Sequence, residues 1–177
     1  MSKFPFDEFA DALAANAEYI KSFESSDLTG YAQKGLAIVT CMDSRITPLA
    51  VIGMKSGDAK ILRNAGARVT DDVLRTLVLA TYLLGVNRIL IMPHTNCRMA
   101  QVDEAEIHRE IDTKYGIDTS ELQFKTVADQ RAALIEDVNA VRNYRLLGTV
   151  GSPTAPSKMT SNDFSSSRTE SGNVSPV

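Results

Sequence analysis

Cys41, His94 and Cys97 are the residues of this chain whose types and spacing suit a metal ion. Two thiolates and an imidazole are soft and borderline donors of the kind zinc prefers, and three protein donors leave a fourth tetrahedral position for water, substrate or a carboxylate. Asp43 and Arg45 follow Cys41 in the run Cys41-Met42-Asp43-Ser44-Arg45, and the other two donors share the run His94-Thr95-Asn96-Cys97. With both thiols deprotonated and His94 neutral, a Zn2+ site built from them carries no net charge.

Each part of this set also has a plainer reading. Cys41 and Cys97 could form a disulfide, which suits an oxidising compartment that nothing else in the chain suggests. They could be two buried inert thiols, the common state of free cysteine. His94 weighs against both, because His-x-x-Cys can bring two donors to one point. Asp43 has two roles open to it. It can accept a hydrogen bond from zinc-bound hydroxide and aim a lone pair at a substrate carbon, or it can close the fourth position as a ligand. The planar fork of Arg45 can hold Asp43 at two points and so decide between these states. A turn with a surface ion pair of little worth is the alternative for the two.

The elements that must position these residues are legible. Residues 7–24 place Phe9, Leu13, Ala17 and Ile20 on one side of an amphipathic helix, expected to pack on a neighbour or a second subunit. Residues 25–34 read as a loop. Leu36 to Thr40 is a β-branched strand delivering Cys41, and Ile46 to Met54 a short helix with Pro48 near its start. Ala59 to Leu62 is a second strand leading into Arg63-Asn64-Ala65-Gly66-Ala67. Thr70-Asp71-Asp72 opens a helix that runs to Gly85; it is apolar almost all round, as expected of a helix buried against a sheet. Arg88 to Met92 is the third strand, delivering Pro93-His94; charged residues 98–112 and residues 127–142 are further helices, the latter burying Val127, Leu134, Ile135, Val138 and Val141. Strands alternating with helices predict an α/β fold with a mainly parallel central sheet. Sites in such sheets lie beyond the carboxyl ends of strands, where Cys41 and His94 fall.

The 177 residues suit one domain, expected over 1–150. A net charge of −3 leaves no electrostatic footprint for nucleic acid, and no apolar run is long enough to span a bilayer. The amino terminus lacks the order of a secretory signal, so a cytoplasmic location is expected. Residues 151–177 hold eight serines, three of the six prolines and only five hydrophobic residues, and are expected to be disordered. His108 is expected to be exposed, and Asp103, Glu104 and Glu106 to form a solvated helix face.

Cys-x-Asp-x-Arg, followed some fifty residues later by His-x-x-Cys, resembles the β-class carbonic anhydrases, especially the short bacterial forms. Gly57-Asp58-Ala59, Arg63-Asn64-Ala65-Gly66 and Val69-Thr70-Asp71-Asp72-Val73-Leu74-Arg75 extend the resemblance over about residues 8–147. It implies reversible hydration of carbon dioxide to bicarbonate by zinc-bound hydroxide. It implies one Zn2+ on Cys41, His94 and Cys97, and Asp43 with Arg45 as the catalytic dyad. In some members the matching aspartate becomes a fourth ligand in an inactive state. It also implies a homodimer or dimer of dimers, with the amino-terminal helix reaching over its partner. Asn64, Ala65 and Gly66 are expected to border the substrate pocket.

The chain departs from that pattern twice. Arg98 stands where the family commonly has glycine, and can narrow the pocket, bring a positive charge near bicarbonate, or point into solvent from a helix. After Thr149-Val150-Gly151 serine and proline take over where the family continues into an apolar strand, a pattern that a frameshift or divergent splice would leave. Without that strand the sheet has an uncovered edge. The same superfamily includes hydrolases of carbonyl sulfide and carbon disulfide, whose electrophilic carbon the ligand set does not distinguish from that of carbon dioxide. A non-catalytic zinc protein with Asp43 closing the site is a third reading.

Overall fold

The computed structural model describes residues 5–24 and 26–147. The expected disorder of 151–177 lies outside the described residues.

Among the described residues three parallel strands form the sheet: β1 (Leu36–Cys41), β2 (Ala59–Asn64) and β3 (Arg88–Met92), in the order β2-β1-β3. Cys41 pairs with Asn64 on one side, and Thr40 with Met92 on the other. β1 is buried along its whole length as the central strand, with the helices Asp71–Leu83 and Gln130–Asn143 packed on one sheet face and Ile52 and Met54 on the other. Its side chains alternate: Ala37 and Val39 enter the larger core, Leu36 and Ile38 the smaller. A hydrogen bond from Thr40 Oγ1 to the Met92 carbonyl (2.8 Å) joins β1 to β3 near their carboxyl ends.

The helices are α1 (Ala10–Lys21), α2 (Pro48–Val51), α3 (Asp71–Leu83), α4 (Glu104–Tyr115) and α5 (Gln130–Asn143). Thr70 caps α3, Asp103 caps α4 and Asp129 caps α5, each side chain accepting from N–H groups of the first turn. Val73, Leu74, Leu77 and Ala80 of α3 meet Leu134, Val138 and Val141 of α5 in the larger core. No helix among the described residues is long and apolar enough to cross a membrane.

Four expectations need correction. α3 buries one stripe rather than its whole surface, since Leu79, Tyr82 and Leu83 are exposed. Ile135 lies off the buried face of α5, and Val127, although buried, precedes that helix. The 98–112 helix divides into a 3-10 turn (Arg98–Ala100) and α4. In the acidic cluster Asp103 and Glu106 are exposed, as expected, but Glu104 is half-buried. Asp103 is the α4 cap, and Glu104 accepts from the Phe124 and Thr126 amides and the Thr126 hydroxyl.

α1 buries none of its residues among the described part of the chain: Leu13 and Ile20 are exposed, as are Phe6, Phe9, Tyr19 and Phe23 around them.

Candidate metal centre

The chain passes from β1 to β2 on one side and then crosses to β3 on the other, so the strand order reverses between β1 and β3. A crevice opens at such a reversal, beyond the carboxyl ends of the strands. Cys41 ends β1 there, and His94 lies two residues past β3. Asn96 adopts a left-handed conformation (φ 56°), which folds the chain back and returns Cys97 towards His94.

The donor atoms of Cys41, His94 and Cys97 lie within 4.8 Å of one another, and all three residues are buried. The two sulfurs are 3.9 Å apart. His94 Nδ1 is 2.8 Å from the Thr95 carbonyl, which fixes the ring with Nδ1–H as donor and turns the Nε2 lone pair to the sulfurs. Nε2 is buried without a hydrogen-bond partner. An orphaned imidazole nitrogen is costly inside a protein, and beside two buried sulfurs it has the chemistry of a missing metal bond. The residues therefore fit a zinc ion. Burial pushes the Cys97 thiol up, as expected of a sulfur whose charge needs a cation.

Asp43 stands next to these donors, its Oδ2 3.8 Å from His94 Nε2. Arg45 grips it through Nε to Oδ1 (2.9 Å) and Nη2 to Oδ2 (2.6 Å), and the Arg45 amide adds a bond to Oδ1 (2.9 Å). These hydrogen bonds hold the Asp43 carboxyl well below the usual carboxylate range. Arg45 Nη2 also reaches the Asn96 carbonyl (3.1 Å), linking the two ligand-bearing loops.

The loop after β2 forms another wall. Gly66 (φ 77°) and Ala67 (φ 61°) turn it left-handedly, and a Cβ on Gly66 would come within 3.3 Å of Met99. Ala67 packs against Cys41 and Cys97. Of the three expected pocket residues, Gly66 lines the cleft beside His94 and Cys97, while Asn64 and Ala65 are not among its lining residues. The Asn64 amide instead brackets Arg68, donating to its carbonyl (2.6 Å) and accepting from its N–H (2.9 Å).

Three contributions went unread in the sequence. Arg63 donates to the carbonyls of Cys41 (2.9 Å) and Asp43 (2.6 Å), bracing the turn that carries them. Asp137 forms a buried pair with Arg68 (2.8 Å), and Gln130 bonds the His94 carbonyl (3.1 Å). An acid among the apolar positions Leu134, Val138 and Val141 is the signal that could have found Asp137. Arg98 points into solvent, 3.6 Å from Glu110. His108 is remote from the donors and half-buried rather than exposed, bonded to Thr119 Oγ1 (2.8 Å) and packed on Phe124.

The carbonic anhydrase family model matches residues 36–146, which includes all five chemistry-bearing residues. The chain belongs to the β-carbonic anhydrase family. The solved carbonic anhydrase of Streptococcus mutans is similar over 90% of this chain and 92% of that one, at 32% identity and a TM-score of 0.76. Beta-carbonic anhydrase 1 of Mycobacterium tuberculosis is 39% identical over 107 residues, 60% of this chain; the match spans 65% of that relative's length. A carbon disulfide hydrolase of Saccharolobus solfataricus is also 39% identical, over 88 residues that make 50% of this chain and 43% of the relative.

Proposed function

We propose that this chain is a zinc enzyme that reversibly hydrates carbon dioxide to bicarbonate and a proton. Cys41, His94 and Cys97 would hold the single Zn2+, and Asp43 with Arg45 would form the catalytic pair. The observation that carries this reading is the orphaned His94 Nε2, facing two buried sulfurs with the Asp43 carboxylate 3.8 Å away. When bound, zinc supplies a Lewis acid that can bring the pKa of water from about 15.7 down to roughly 7, a figure borrowed from carbonic anhydrases with three histidine ligands.

The protein's own groups supply orientation. Asp43 is kept ionised by Arg45 and offers a fixed acceptor for the proton of the attacking oxygen, leaving that oxygen's lone pair free for the substrate carbon. Arg45 engages both oxygens of Asp43, which favours the carboxylate as a held acceptor over a fourth ligand and supports an open site. Gly66 lines the cleft, and Asn64 supports that wall from behind through its hold on Arg68. The apolar surface of Ala67, Ile91, Ala100 and Leu134 in the cleft suits a small molecule without charge. No second histidine stands near the donors among the described residues, so the proton is expected to leave through water or buffer.

The proposed unit is one domain over residues 1–150, working as a homodimer or dimer of dimers. The exposed apolar side of α1 is the support for an oligomer. Two free cysteines suit a reducing compartment, and we assign the activity to the cytoplasm.

The test is stopped-flow hydration of carbon dioxide by the zinc-loaded chain from neutral to mildly alkaline pH. Turnover abolished by Asp43→Ala is the expected result. Silence across that range, with zinc bound and the protein folded, would overturn the reading. The similarity to a carbon disulfide hydrolase favours a second reading, hydrolysis of carbon disulfide or carbonyl sulfide at the same site. Sulfide release from either gas, with no carbon dioxide turnover, would assign it.

A further inference from the structure

We propose that Gln130 is a positioning residue for the metal centre, holding the His94 loop from α5. The inference rests on the Cys-His-Cys metal reading and adds the group that keeps its imidazole in place. Gln130, Ala133, Leu134 and Asp137 follow one another at helical spacing along α5, and all four line the cleft beside His94 and Cys97.

The two polar members of this stripe each grip one wall of the site. Gln130 Nε2 donates to the His94 carbonyl (3.1 Å), the peptide next to the one whose oxygen orients the His94 ring. Two turns further on, Asp137 accepts from the Val69 amide (2.9 Å) and from Arg68 Nε (2.8 Å). Through Arg68 and Asn64 it holds the loop that presses Ala67 against the two cysteines. One helix thus sets the distance between the loop that carries His94 and the loop that backs the sulfurs.

Gln130 is separable from folding in a way that Asp137 is not. It is exposed, it is the first residue of α5, and the start of that helix is secured independently by Asp129, which accepts from the Arg131 and Ala132 amides. Its side-chain amide bonds the ligand's own backbone. Groups that orient a metal ligand from outside typically carry about tenfold to hundredfold in metal affinity.

The experiment measures zinc affinity of the full chain by competition with a chromophoric chelator. It adds the visible absorption of the cobalt-substituted protein and thermal melting of the metal-free protein. Gln130→Ala and Gln130→Glu, which cannot donate to the carbonyl, are expected to bind zinc about tenfold more weakly and to shift the cobalt bands, while metal-free melting stays unchanged. Gln130→Lys restores a donor and is expected to recover most of the affinity. Affinity unchanged in all three variants would overturn the proposal, as would a loss matched by lower metal-free stability. A Lys variant as weak as the Ala variant would also overturn it, by showing that the side chain only fills space. Failure of the unsubstituted chain to take up zinc would sink the metal reading itself, and is seen before any variant is made.

Discussion

The Asp43 carboxylate and the Arg45 guanidinium meet at two points, 2.9 and 2.6 Å, although only Ser44 separates them in the chain. Arg45 is exposed while Asp43 is largely covered, so the pair aims a fixed, ionised oxygen into the site from its rim. Replacing Asp43 with Asn keeps the shape and removes the charge. Carbon dioxide turnover should fall by about 10²- to 10⁴-fold, the usual worth of a positioned acid–base group. Zinc content should stay at one ion per chain by elemental analysis. Zinc lost along with activity would identify Asp43 as a ligand instead.

Metal removal should cost stability as well as activity, because an ion that binds only the folded site stabilises it by mass action. At a free zinc concentration 1,000 times Kd the gain is about 4 kcal/mol. Chelation should therefore lower the melting temperature, and zinc should restore it. Cys97→Ser should abolish the zinc-dependent part of the shift.

The buried Arg68–Asp137 pair ties the loop after β2 to α5 across 69 positions of sequence. Burial pushes the Asp137 carboxyl up, against the pull of the Val69 amide and Arg68. Asp137→Ala leaves the Val69 amide without its acceptor and Arg68 with the exposed Glu136 carboxylate (2.7 Å) as its ion partner, and should cost about 1–3 kcal/mol, measured by urea unfolding. Replacing both residues with apolar ones of similar size should cost much less.

Glu104 gives a pH-dependent contact. Burial alone would raise its carboxyl, but donors from Thr126 and Phe124 outweigh that and hold it below the usual range. A carboxyl lowered on folding adds stability above its unfolded pKa, about 4.3 for glutamate, and loses it as pH falls through the lower folded value. Acidification below pH 4 should thus release the segment around residues 124–126 from α4. Limited proteolysis with pepsin should detect cuts there, and Glu104→Gln should flatten the pH dependence.

The exposed apolar side of α1 predicts association. A Phe9→Glu/Ile20→Glu variant should sediment as a smaller species than the unsubstituted chain, with the helical signal of the remaining fold preserved. An unchanged mass would remove α1 from the proposed interface.

Much of the site was legible because its chemistry is written at short range. Cys41 and His94 follow apolar β-branched runs, and a parallel sheet brings the ends of β1 and β3 together whatever else the chain does. Thr70 announces α3 in the same way, since a cap acts on amides three residues away. The outer face of α3 was misread because apolar content marks what can be buried, not which side meets a partner; Leu79, Tyr82 and Leu83 are exposed among the described residues. Glu104 was misread as solvated because its partners lie twenty or more residues on, in a segment without regular structure. What the sequence determined alone was the donor set, the Asp43-Arg45 pair and the strands that present them. Only the tertiary structure decided how they are held: Gln130, Arg68 and Asp137 reach the site because α5 packs against β3, and that contact depends on the shape of the whole core rather than on any local spacing.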